Sequence, residues 1–132
     1  MHTKNTNTKL IYPELSYLLT GIFFEIHNTL GRYSRERQYA DALEAKLKTL
    51  GITFTRERSL SASGNRCDFI VNNKIVVELK AKRFITREDY YQIQRYLQGS
   101  RLQLGLLVNF NNRYLKPIRI IRIDTDRRLK FV

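Results

Sequence analysis

Residues 65–80, Asn-Arg-Cys-Asp-Phe-Ile-Val-Asn-Asn-Lys-Ile-Val-Val-Glu-Leu-Lys, read as two strands about a tight turn. Asn65 to Val71 and Lys74 to Lys80 are rich in β-formers. They flank Asn72-Asn73, a pair that tolerates the left-handed backbone of a hairpin. On the second strand Ile75, Val77 and Leu79 share one face and suit a core, while Val76, Glu78 and Lys80 share the other. A carboxylate and an amine at the end of an apolar strand are either a surface ion pair or part of a reactive site.

Loop length decides between these readings. A two-residue loop pairs Val71 with Lys74 and leaves Asp68 and Glu78 on opposite faces, where no cation could bind both. A three-residue loop, or a bulge with the same effect, pairs Val71 with Ile75 and sets Asp68 opposite Glu78. Their Cβ atoms would then lie about 5 Å apart. The odd-length loop is the expectation, with Lys80 on the same face as the two acids and Glu36 and Gln92 approaching from helices.

Outward from the hairpin the periods change. Leu15, Leu18, Leu19, Ile22, Phe23, Ile26 and Leu30 recur at helical spacing between Pro13 and Gly31, which predicts a helix over 13–30. Tyr39, Leu43, Leu47 and Leu50, ended by Gly51, predict a second helix from near Arg35 or Glu36. Residues 52–55 alternate as a strand. Thr86-Arg87-Glu88-Asp89 resembles a capping box and opens a helix to about Gly99. Leu102 to Phe110 reads as a buried strand and Pro117 to Ile123 as a last strand near an edge. The order α-α-β-β-β-α-β-β implies an α/β fold, a mixed sheet with helices on its faces.

Composition bounds the function. The chain has 132 residues, expected to be a polar tail over 1–9 and one domain over 10–132. Lys and Arg number 24 against 12 acids, a net charge of +12 that favours a polyanionic partner, DNA first. One cysteine, Cys67, excludes an internal disulfide framework and a cysteine-based zinc site, and it is expected to pack without a redox role in a cytoplasmic protein. The longest apolar stretch, Tyr17 to Phe24, is interrupted and too short to span a membrane.

Asp68, nine intervening residues, then Glu78-Leu79-Lys80 suit phosphodiester hydrolysis. The reaction calls for a hard cation held by carboxylates, here Mg²⁺ or Mn²⁺ on Asp68 and Glu78. Lys80 could orient or deprotonate a water, or offset negative charge on the phosphate. Gln92 and Tyr96 lie four apart on a helix and share a face, either an ordinary polar flank or a pair that contacts phosphate or supports the site.

The same residues carry a resemblance. Asp68, Glu78-Leu79-Lys80 and Gln92-x-x-x-Tyr96 resemble the PD-(D/E)xK nuclease superfamily in its RecB-like branch. Residues 25–31, Glu36-x-x-Tyr39 and residues 104–110 resemble the GxxExxY proteins. Two positions depart from these patterns: Tyr33 stands at the first Gly of GxxExxY, and Cys67 at the Pro of the superfamily motif.

The resemblance implies a restriction-endonuclease-like core, with Glu36 as a further metal ligand or a support for the ligands. For Glu36 the plain alternative is an acid that favours the helix dipole. His27 is expected to cap or pack. Arg32, Arg35 and Arg37 beside Glu36, and Lys82, Arg83 and Arg87 after Lys80, are the expected phosphate contacts, with recognition of backbone and shape. The expected activity is a metal-dependent deoxyribonuclease. The rivals are a catalytically silent DNA-binding module of the same fold and a dimeric Holliday-junction-resolvase-like endonuclease.

Overall fold

The computed structural model describes residues 11–60 and 64–124, and the expected tail over 1–9 lies outside the described residues. The elements are α1 (Pro13–Leu30), α2 (Glu36–Thr49), β1 (Phe54–Leu60), β2 (Asn65–Val71), β3 (Ile75–Lys80), α3 (Arg87–Ser100), β4 (Leu104–Asn109) and β5 (Ile118–Ile121). The five strands form one sheet in chain order. The β3–β4 pair is parallel and the other three pairs are antiparallel. Parallel neighbours require a crossover, and α3 supplies it. The element order is the expected one, and β5 lies at an edge.

Pro13 opens α1, where a missing N–H costs nothing, and Gly31 ends it at φ 77°. Leu19, Ile22, Phe23 and Ile26 of α1, with Tyr39, Leu43 and Leu47 of α2, pack on one face of the sheet against Ile75, Val77 and Leu79. A smaller core lies under α3, where Ile93, Tyr96 and Leu97 meet Val76, Leu107 and Ile120. Gly105 of β4 lets α3 approach, since a Cβ there would sit 2.7 Å from Ile93 Cγ2.

The hairpin turn reconciles two competing signals. Asn72 and Asn73 both take left-handed φ, 53° and 58°, as in a two-residue primed turn. Lys74 N–H donates to Val71 O at 3.0 Å. Yet the ladder pairs Val71 with Ile75, Ile70 with Val76 and Phe69 with Val77, so Lys74 is an extra residue and the odd parity holds.

The first strand departs from expectation. It runs over Phe54–Leu60 and not 52–55. Its second half, Arg56-Glu57-Arg58-Ser59, carries charges that hide the strand in the sequence, and an edge position makes them tolerable.

Candidate active site at the ends of β2 and β3

Asp68 sits where the sheet loses its regularity. In β1 Arg56 pairs with Phe69 and Arg58 with Cys67, and the intervening Glu57 takes φ 56°. The β2–β3 ladder stops at Phe69 and Val77. Cys67 and Phe69, two residues apart, belong to opposite cores, Cys67 under α3 and Phe69 under α1 and α2. The pleat therefore breaks at Asp68.

Side chains replace the missing ladder bonds. Asp68 N–H donates to Glu78 Oε1 at 2.8 Å. Leu79 N–H donates to Asp68 Oδ2 at 2.7 Å. The expected register brings the two acids together, but not through a shared face of a regular pleat. Asp68 lines a cleft of about 410 Å³ with Glu36, Arg37, Ala40, Arg56, Glu57 and Leu79 on the α2 side. Glu78 keeps the phase of Val76, but its Oε1 reaches into the gap in the ladder to the Asp68 N–H, as Asp68 Oδ2 does to the Leu79 N–H, so the two carboxylates meet at that gap.

Lys80 follows Glu78 on that side. Its Nζ lies 3.6 Å from Glu78 Oε2, 3.7 Å from Asp89 Oδ1 and 3.5 Å from Gln92 Oε1. Gln92 thus stands where the sequence placed it. Asp89, read from sequence only as a cap, is the acid that sequence reasoning missed. It is 5% exposed, and its Oδ2 accepts from Thr86 N–H and the Thr86 hydroxyl. Lys82 Nζ lies 2.6 Å from that same oxygen.

The electrostatics follow from burial. Desolvation raises the Asp68 carboxyl, opposed by the Leu79 N–H, while the nearby charge of Glu36 adds to the rise. Desolvation and the adjacent Asp68 raise Glu78 to about 7. Asp89 goes the other way: burial raises it, but Lys82 and Thr86 outweigh burial and hold it below the ordinary range.

Other expected site residues have other tasks. Tyr96 is 1% exposed and hydrogen-bonds Cys67 in the smaller core, which leaves it no access to a phosphate. Burial pushes Cys67 up to about 12, in keeping with a packing role. Tyr39 is buried and stacks on Phe110 at 4.1 Å, and its hydroxyl accepts from Ser34 N–H and donates to Gly31 O. It pins the loop ahead of Glu36.

His27 Nε2 hydrogen-bonds Asn112 O at 2.9 Å and packs as expected. Lys82 is committed to Asp89, whereas Arg35, Arg37, Arg83 and Arg87 are exposed. Among the described residues no three His, Cys, Asp or Glu side chains are gathered tightly enough to hold a metal by themselves. Glu36 shares the cleft with Asp68 but does not complete a three-acid cage. No helix among the described residues is long and apolar enough to cross a membrane.

A mixed sheet with helices on both faces, an acid at a broken strand and a Glu-x-Lys on its neighbour describe a restriction-endonuclease-like protein. The family model of the PD-(D/E)XK nuclease superfamily matches residues 13–123, and the chain belongs to that superfamily. No curated protein and no solved structure matches the chain.

Proposed function

We infer that the protein is a metal-dependent deoxyribonuclease with Asp68, Glu78 and Lys80 as its reacting groups. One observation carries this reading: a half-buried carboxylate, Asp68, and a buried one, Glu78, meet at a break in the sheet, with an amine 3.6 Å from Glu78.

The donor set fits a divalent cation. Both acids offer hard oxygens, and both are held above their ordinary ranges by burial, with Glu36 adding to the rise of Asp68 and Asp68 to that of Glu78. Mg²⁺ typically takes one or two carboxylates and keeps waters and phosphate oxygens for the rest of its shell. That preference suits a pair of acids better than a three-acid cage, and Glu36 would act across the cleft through water. When bound, Mg²⁺ or Mn²⁺ supplies an acidified water and withdraws charge from the phosphate.

The chain's own groups do the rest. Asp89 and Gln92 fix Lys80 Nζ, which orients the attacking water and offsets charge on the scissile phosphate. Arg35, Arg37, Arg83 and Arg87 bind backbone phosphates and set the position of the strand. Membership of the RecB-like GxxExxY branch rests on Gln92, Tyr96, Glu36 and Tyr39 at their motif positions.

The test is cleavage of linear, flapped and four-way DNA with Mg²⁺ or Mn²⁺, with Glu78→Ala alongside. Metal-dependent cleavage lost in the variant is the expected result. Absence of cleavage on every substrate would leave a silent DNA-binding module in its place.

A further inference from the structure

Three loops meet at the end of the sheet that carries the site. Because β3 and β4 are parallel and Lys80 pairs with Asn109, the loops over 81–86 and 110–117 leave from the same end. The Asn109 side chain ties them by accepting from Lys82 N–H at 3.1 Å and donating to Lys82 O at 2.7 Å. The loop over 31–35 joins through Asn111: Arg32 Nε donates to Asn111 O at 2.9 Å, and Asn111 Nδ2 donates to Arg32 O at 3.3 Å. The first loop leads into Glu36 and the second follows Lys80, so the three border the site.

Each loop carries an arginine followed by an aromatic residue: Arg32-Tyr33, Arg83-Phe84 and Arg113-Tyr114. The rings are 80%, 71% and 78% exposed. Each guanidinium lies over its own ring, at 5.0, 5.8 and 5.4 Å from the centroid. The high exposure leaves the rest of each ring to water. The loops hold six Lys or Arg residues and no Asp or Glu. Basic groups alone would suit any polyanion. Rings held open to solvent add a planar apolar surface, and the matching planar apolar surface on DNA is an unpaired base.

We propose that these three arginine–aromatic steps form a rim that stacks unpaired nucleobases, so that the preferred substrate is DNA with single-stranded character. The inference rests on the nuclease reading above and names its substrate class. It adds base stacking to the sequence-based expectation of recognition mainly of backbone and shape. A duplex keeps its base faces stacked inside and offers the rim only phosphates, whereas a single strand, a flap or a frayed end offers both.

The experiment is fluorescence anisotropy of the full chain, with metal chelated so that turnover cannot interfere. The probes are a single-stranded oligothymidine, an abasic strand of the same length and a blunt duplex. Base–aromatic stacking corresponds to about 5- to 100-fold in affinity per base. The wild type should bind oligothymidine at least about 10-fold more tightly than the abasic strand.

The variant Tyr33→Ala/Phe84→Ala/Tyr114→Ala should lose that preference, with less than about 3-fold change on the duplex, because its arginines remain. All three rings are on the surface, so its melting temperature should match the wild type. Tyr17→Ala removes an equally open ring, 84% exposed, near the far end of α1. Thirteen helical steps separate it from Leu30, about 20 Å along α1 from the end that leads into the rim, and it should change nothing.

Equal binding of oligothymidine and the abasic strand by the wild type overturns the inference. So does a triple variant whose losses are the same on all three probes. A protein that shows the base preference but never cleaves supports the rim and sinks the nuclease reading. One that cleaves without any base preference does the reverse.

Discussion

The two sides of β3 are made differently, although they share one backbone. Toward α1 and α2 the strand presents Ile75, Val77 and Leu79, all at most 1% exposed, in a core that includes Phe23, Tyr39 and Phe110. Toward α3 it presents Val76, then Glu78 and Lys80, facing Asp89 and Gln92. The first side gains free energy from burial along its whole length. The second gains it at one end and gives it up at the other, where a carboxylate raised to about 7 sits against an ammonium. On β3 itself the stabilising side chains and the candidate reacting ones are thus separated by the pleat of a single strand, about 3.3 Å per residue.

The separation can be broken from either side. Phe110→Ala empties a fully buried position that stacks on Tyr39 and meets Phe23 edge-on. It should cost about 3–5 kcal/mol in denaturant unfolding. Cleavage by the surviving folded fraction should be near normal. Lys80→Ala should do the opposite, lowering cleavage by about 100- to 1,000-fold with little loss of DNA affinity. If both variants lose stability and turnover together, the two sides are not independent.

Asp89→Asn sharpens the comparison within the α3 side. It keeps the shape of the cap but removes the charge that Lys80 and Lys82 share. A loss of about 10-fold in cleavage rate is expected, comparable to losing a group that orients a ligand. Asp89 acts through Lys80, so the pH–rate profile should also shift, and a purely structural role would leave the profile in place.

Glu78→Gln tests the cost of the charged end. The carboxyl is raised from 4.5 to about 7 in the fold, so below pH 4.5 it is protonated whether folded or not and costs nothing. As pH climbs from 4.5 to about 7 the unfolded chain ionises first, and the metal-free protein loses stability across that window. Asp68 is raised as well and adds in the same sense. Thermal melts should show the wild type falling relative to Glu78→Gln over this range, and Mg²⁺ should restore more at pH 8 than at pH 5. A constant difference between the two proteins across pH would contradict the raised carboxyl.

The smallest effect is on the outer surface. Arg35→Ala/Arg87→Ala removes two exposed charges from different sides of the site. The slope of log affinity for a duplex against log salt should lessen by about 1 to 2. An unchanged slope removes them from the DNA contact.

Much of this was legible because apolar periodicity and backbone specialists agreed. Pro13, Gly31 and the spacing of Leu19 to Ile26 mark α1, and the hairpin parity follows from asking two acids to meet. The break at Asp68 was not legible, because Cys67 and Phe69 look like neighbours on one pleat until the structure sends them to different cores. Asp89 hid inside a capping signature, since its lysine partners, Lys80 at the end of β3 and Lys82 in the loop after it, lie nine and seven residues earlier in the chain. Tyr96 was ambiguous because an aromatic four residues after a glutamine fits a polar flank or a core equally well. The rim is spread over three separated loops and has no period to detect.

The bulged Lys74 has a consequence for how this chain can change over generations. Substitutions at the turn are cheap wherever Asn72 and Asn73 give way to residues that accept left-handed φ. Deleting one residue is another matter. It would restore a plain two-residue turn and rotate β3 by half a pleat, carrying Glu78 and Lys80 under α1 and α2 and turning Leu79 toward α3. No point substitution elsewhere could repair that inversion. Descendants of this sequence should therefore lengthen or shorten the turn in steps of two, or else part with their chemistry.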